Sequence, residues 1–309
     1  MMFLRGMTTI LLMTTALVLP GKDLKVLMIG NSFSRSVGVY LPQLVNAEKK
    51  HHLILTSAYI GDCSLETHYK NLLAGEQKPD FAPYTIAVWN SNDLSKKEYK
   101  GNVNELLKSN QYDIITIQQR SRFSYDYSSY EPFAAEIIKF IKKYQKHAEI
   151  VIQQTWSYRK ESPSYPKLKI NEKYMYENLT VAYRKLAEKY SLRVITVGDA
   201  VEIFRKECPV KYQTFDPQKM YKEPELPSFA GDVVGSAKWE DKRINNVLCR
   251  AIRYDYAHLN NPGEYLQALC WYAFLFEENV RNISFIPANI KPKEADFLKK
   301  CAQKAINHK

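Results

Sequence analysis

The chain lacks several patterns that would place it at once. None of its five cysteines (Cys63, Cys208, Cys249, Cys270, Cys301) forms a Cys-x-x-Cys pair or shows metal-ligand spacing, so no zinc module is expected. Because the number is odd, an exported form would keep one thiol unpaired within the chain. Cys208 and Cys249 flank one irregular segment and could be bridged, whereas Cys270 falls in an apolar helix and reads as core. No arginine-rich block occurs: the formal charge is +11, but lysine and arginine are interspersed with Asp and Glu. Such a balance reads as a solvated, lysine-rich surface, and no nucleic-acid partner is expected. There is no internal repeat and no low-complexity tract. The longest early apolar run, Ile10 to Leu19, is too short to cross a bilayer.

That run follows a single positive charge, Arg5, and so reads as a secretory leader over residues 1–22. The cleavage site is not evident, since Leu17-Val18-Leu19-Pro20 lacks a small-x-small pattern; an apolar strand or an uncleaved anchor is the alternative. No Cys stands near its end, so no lipid anchor is expected at that point. The expectation is an exported protein, periplasmic or extracellular, without a stable membrane span in the mature chain.

With 309 residues and 45% apolar content, the chain can bury a full core. Short apolar segments at Lys25–Ile29, His52–Ile60, Tyr112–Ile117, Ile150–Ile152 and Arg193–Val197 read as strands. Between them, Val37–Ala47, Leu65–Leu73, Val103–Lys108, Ala134–Tyr144 and Met175–Tyr190 carry apolar residues at helical spacing. Alternation of this kind predicts an α/β fold: three layers, α/β/α, around a five-stranded parallel sheet of flavodoxin-like order. One domain over 23–309 is expected, with insertions near 76–101 and 205–253. In the first, Tyr84–Trp89 reads as half of a small hairpin; in the second, the pattern dissolves into a long loop, a candidate lid. Leu266–Phe276, apolar nearly all round, predicts a buried helix, and a lysine-rich helix closes the chain.

Polar residues gather just past the C-terminal ends of these strands, the edge at which open α/β sheets bind ligands. Val26-Leu27-Met28-Ile29 ends in Gly30-Asn31-Ser32 before an amphipathic segment, as when a buried strand delivers a serine onto a tight turn into a helix. A helix-capping serine would have the same signature. Near the other end, Asp255-Tyr256-Ala257-His258 places a carboxylate three residues from an imidazole, just before the buried helix. A serine nucleophile needs a base, and the base needs a partner that fixes its tautomer. Of the other histidines, His51 and His52 open a strand, His68 and His147 read as helical, and His308 is terminal.

Together these stretches resemble the SGNH, or GDSL-like, hydrolases, and in particular a bacterial branch with Gly-Asn-Ser-Phe and Asp-x-x-His-Leu-Asn motifs. The likeness spans Lys25 to Asn279. Gly30-Asn31-Ser32 is similar to the first block, with Asn31 where Asp is usual; Gly61 matches the second-block glycine; Asp255-x-x-His258 matches the fifth. The resemblance implies a Ser32–His258–Asp255 triad that hydrolyses a carboxylic ester, such as an O-acetyl group on a glycan, without metal or organic cofactor. It also implies an oxyanion hole of the Ser32 and Gly61 N–H groups and a side-chain amide. Where the family carries Gly-x-Asn-Asp, this chain has Gln118-Gln119, so Gln119 is expected to supply that amide, with Gln118 or Asn92 as alternatives. The altered block, with 22 tyrosines, leaves open a catalytically weak, glycan-binding relative. Either way the partner is a small-molecule or glycan ester.

Overall fold

Runs that are apolar on both faces belong in the middle of a covered sheet. In the computed structural model, which describes residues 20–78, 80–216, 218–245 and 247–307, this is where they lie. Residues 1–19, most of the expected leader, and His308 lie outside the described residues.

In chain order, β1 (Asp23–Gly30) leads through the single-turn α1 (Ser32–Arg35) into α2 (Val37–Glu48), and β2 (His52–Tyr59) into α3 (Leu65–Gln77). Next come β3 (Tyr84–Asn90), β4 (Lys96–Gly101), α4 (Val103–Ser109), β5 (Ile114–Ile117), α5 (Phe133–Tyr144) and β6 (Glu149–Gln153). The rest is α6 (Ser164–Leu168), α7 (Glu172–Tyr190), β7 (Arg193–Ile195), α8 (Val197–Glu207), β8 (Val234–Ile244), β9 (Val247–Leu259), α9 (Asn261–Phe276) and α10 (Pro292–Asn307).

The main sheet has the order β4-β3-β2-β1-β5-β6-β7. The five strands β2, β1, β5, β6 and β7 run parallel, in the expected order, and all-buried runs such as Ile114–Ile117 fill its centre. Helices cover both faces: α2, α8, α9 and α10 pack together on one, α3, α4 and α5 on the other. Every residue from Tyr265 to Phe276 is buried, as the apolar run predicted.

Four local expectations need correction. The expected hairpin forms, β3 pairing antiparallel with β4, but it is not a separate insertion: β3 also pairs antiparallel with β2 from Tyr59 to Ile54, so the hairpin extends the sheet to seven strands. The strand expected over Arg193–Val197 ends at Ile195, and Val197 already opens α8, whose Gly198 lies so close to the Thr155 carbonyl oxygen that a Cβ there would sit 2.1 Å from it. His147 lies in the loop after α5. The segment 205–253 is no featureless loop, since β8 and β9 form a long antiparallel hairpin. Cys208 and Cys249 are not bridged to one another. Among the described residues no helix is long and apolar enough to cross a membrane.

Candidate active site

The turn that carries Ser32 follows from Gly30 and Asn31 at the end of β1. Gly30 pairs with Tyr59 of β2 at the C-terminal edge of the sheet. A Cβ there would sit 2.4 Å from Ser34 Oγ, so only glycine lets the chain fold back this tightly. Asn31 is extended (φ −127°, ψ −157°), and its Oδ1 accepts the Phe33 N–H at 3.1 Å. Asn31 is therefore the helix cap, which leaves the hydroxyl of Ser32 free for other chemistry.

The opposing arm comes from the end of β9, not from a loop. Ser236 pairs with Asp255 and Val234 with Leu259, so Gly235 alone stands against Tyr256, Ala257 and His258. Gly235 has φ +94°, a conformation that suits glycine. The surplus residues form a bulge in which Asp255 Oδ1 accepts N–H groups from Ala257 (2.8 Å) and His258 (2.9 Å). The loop after β6 ties the bulge down: Trp156 Nε1 donates to the Ala257 carbonyl and the Arg159 N–H to that of Tyr256, each at 2.8 Å.

The two arms meet. His258 Nε2 lies 2.8 Å from Ser32 Oγ, and His258 Nδ1 lies 2.7 Å from Asp255 Oδ2. Burial alone would push the Asp255 carboxyl up, but the bonds from His258 and from the two main-chain N–H groups outweigh it and bring it down to about 2. Asp255 is thus a fixed anion placed to accept a proton carried on Nδ1, an arrangement in which Nε2 can accept from the serine hydroxyl. The Phe33 ring stacks on Trp156 (centroids 4.3 Å apart) and packs against the His258 ring at 5.6 Å. The imidazole remains open to solvent on its other side, with 45% of its side chain exposed.

Around Ser32, the main-chain N–H groups of Ser32 and Gly61 have no acceptor among the described residues. The expected side-chain amide is placed differently. Gln119 spends its Nε2 on the carbonyl and hydroxyl of Ser129, at 2.8 and 3.1 Å, while its Oε1 accepts from the Leu65 and Arg120 N–H groups. Its long arm reaches past the site to fix the start of α3. Gln118 donates to Asn31 Oδ1 at 2.6 Å and accepts from Gln153 Nε2 at 2.5 Å, which buries it beneath the turn. Asn92 is excluded by register: β3 runs against β2, and Asn90 pairs with Ile54, so the turn that follows lies at the opposite edge of the sheet.

Two residues that sequence reasoning passed over support the turn from below. Gln153 and Gln267 both donate to the Phe33 carbonyl, at 2.9 and 2.8 Å, and Gln267 accepts from Ser36 Oγ at 2.7 Å. Trp271 Nε1 closes the network on Gln153 Oε1 at 2.8 Å. A lone glutamine inside an otherwise apolar helix is the signal for Gln267, because a buried amide must find partners.

A cleft of about 390 Å³ opens beside Ser32 and His258, walled by Trp89 and Trp156 and floored at α9 by Glu264. Among the described residues no three His, Cys, Asp or Glu side chains cluster to hold a metal ion.

The family model described as "Domain of unknown function (DUF4886)" matches residues 25–204. Among solved structures, a DUF4886 family protein from Bacteroides uniformis is 26% identical, with a TM-score of 0.73 over 93% of this chain and 95% of that one. A candidate SGNH hydrolase from Slackia heliotrinireducens is 16% identical, with a TM-score of 0.48 over 82% of this chain and 99% of that one. The acetylxylan esterase Axe2 from Geobacillus stearothermophilus is 12% identical, with a TM-score of 0.35 over 58% and 78% of the two chains. Scores this low for the last two carry no weight for activity. No curated protein matches the chain.

Proposed function

This chain belongs to the DUF4886 family, and from that premise we propose that it is a serine hydrolase of carboxylic esters. The observation that carries the reading is the continuous relay Ser32–His258–Asp255, with heavy-atom spacings of 2.8 and 2.7 Å. Spacings of this size are those a nucleophile, its base and the base's orienting anion require.

In the proposed reaction, Ser32 Oγ attacks the ester carbonyl as His258 Nε2 takes its proton. Asp255 holds the imidazole and stabilises the imidazolium that forms. The tetrahedral oxyanion rests on the main-chain N–H groups of Ser32 and Gly61; no side-chain donor is assigned to it, since Gln119 is committed to Ser129. Loss of one such donor typically costs ~10²–10³ in rate. His258 returns the proton to the leaving alcohol, and water then repeats the sequence on the acyl-serine. No cofactor enters. We also place the protein outside the cytoplasm, with residues 1–22 as its export leader, and an O-acetylated glycan as the substrate to try first.

The test is hydrolysis of p-nitrophenyl acetate by wild type and by Ser32→Ala. Turnover that collapses in the variant supports the reading. A wild type no faster than the variant would favour the alternative, a catalytically weak glycan-binding relative, an alternative supported by the absence of an assigned side-chain oxyanion donor.

A further inference from the structure

Glu264 has no role in the relay, yet it faces the same cleft. It sits in the first turn of α9, six residues after His258, and lines the cleft with Ser32, His258 and the two tryptophans. Its carboxyl makes no hydrogen bond and no ion pair among the described residues. The first turn of α9 is capped by Asn260, whose side chain serves the Gly263 N–H at 3.1 Å, so the helix does not need Glu264 for that purpose. A half-buried carboxyl without a partner is costly to keep, and burial pushes this one up to about 7, with the nearby His258 pulling it partly back.

The other charged groups at the cleft do not neutralise it. Arg35 and Lys96 are both turned to Glu98, at 3.1 and 2.9 Å. The Tyr40 hydroxyl, on the side of α2, donates to Asn289 at 3.2 Å. The cleft thus presents the partly exposed Trp89 indole, the edge of a buried Trp156 already stacked on Phe33, and one carboxyl with its acceptor capacity unspent. A plain alkyl or aryl group would bury that carboxyl and give it nothing; a group carrying hydroxyls would satisfy it.

We infer that Glu264 is a specificity-determining residue: it accepts a hydrogen bond from a hydroxyl on the part of the ester that occupies the cleft, and so selects hydroxyl-bearing esters over plain ones. The inference rests on the ester-hydrolase reading and extends it by one named contact. In its ionised form the carboxylate accepts; when protonated it can donate one bond and still accept another.

The experiment compares kcat/KM for a mono-O-acetylated hexose and for p-nitrophenyl acetate in wild type, Glu264→Ala and Glu264→Gln. A hydrogen bond to a charged group is lost in the alanine variant, so the ratio of the two values should fall about tenfold or more, chiefly through KM for the hexose. Glu264→Gln keeps the shape and an acceptor oxygen, and should recover part of the ratio. A ratio unchanged in both variants overturns the inference, and so does an equal loss on both substrates. If Glu264→Ala fails to fold, the glutamine variant decides alone: a ratio equal to that of wild type at pH 6 and at pH 8 would overturn the inference. Absence of wild-type turnover on p-nitrophenyl acetate would instead defeat the hydrolase reading itself.

Discussion

The main-chain N–H of Arg159 donates to the carbonyl of Tyr256 at 2.8 Å, and this bond joins the end of the parallel sheet to the bulge that carries Asp255 and His258. The Arg159 side chain secures both sides of the same junction. Fully buried, it reaches the carbonyls of Val234 (3.1 Å) and Gln213 (2.6 Å), pairs with Glu161 at 3.0 Å, and lies 4.0 Å from the Phe215 ring centroid.

Removing that cation should therefore cost both stability and geometry. Arg159→Met leaves Glu161 and two carbonyls short of a partner, and breaking such a pair typically costs about 3–5 kcal/mol. Thermal unfolding should shift down by several degrees, and the kcat of folded protein should fall further than its KM changes. A variant with wild-type stability and kcat would mean that the junction does not position the relay.

Asp255→Asn tests the anion under the imidazole. The amide fits the same space but offers Nδ1 no fixed negative charge, and in comparable triads this exchange lowers kcat by about 10⁴. The folded protein holds the Asp255 carboxyl at about 2, below its ordinary 3.8. Its contribution to stability is complete above pH 3.8 and is lost as pH falls from there toward 2. Asp255→Asn should remove that part of the acid sensitivity, as read from urea midpoints at pH 5, 4 and 3. Unaltered activity in the variant would contradict the assigned role.

His68 gives a pH effect with another origin. It is fully buried on α3, with Nδ1 3.0 Å from the Tyr84 hydroxyl and its Nε2 without a partner. Burial pushes its imidazole down from 6.5 to about 3. The unfolded chain thus takes up this proton first, and stability falls as pH drops from 6.5 toward 3, by up to about 1.4 kcal/mol per pH unit from this one group. His68→Phe should flatten the dependence in that window. Parallel curves for variant and wild type would show that the buried imidazole is not the source.

Much of this was legible in the chain, for physical reasons that differ from part to part. The five parallel strands announce themselves because burial on both faces demands unbroken apolar runs such as Ile114–Ile117. Asp255 and His258 were readable as a pair because three residues is the reach of a bulge turn. Their strand was not, because β8 and β9 carry charges along an exposed ribbon and match no buried pattern. The one local signal was the asparagine pair after Ile244: Asn tolerates left-handed backbone, and Asn245 has φ 49°. Gln118 and Gln119 were legible as polar residues at the sheet edge. Where their amides point depends on Asn31, Ser129 and Gln153, which only the folded chain assembles. Glu264 was hidden for the same reason, since a glutamate in a first helical turn looks like an ordinary dipole partner.

The central claim is that Ser32 is a nucleophile activated by His258. Incubation with a fluorophosphonate, followed by intact-mass and peptide mass spectrometry, addresses it directly. The account predicts one adduct per chain, on Ser32, absent from Ser32→Ala and strongly slowed in His258→Ala. A wild-type chain that stays unlabelled, or that carries its adduct on another serine, would contradict it.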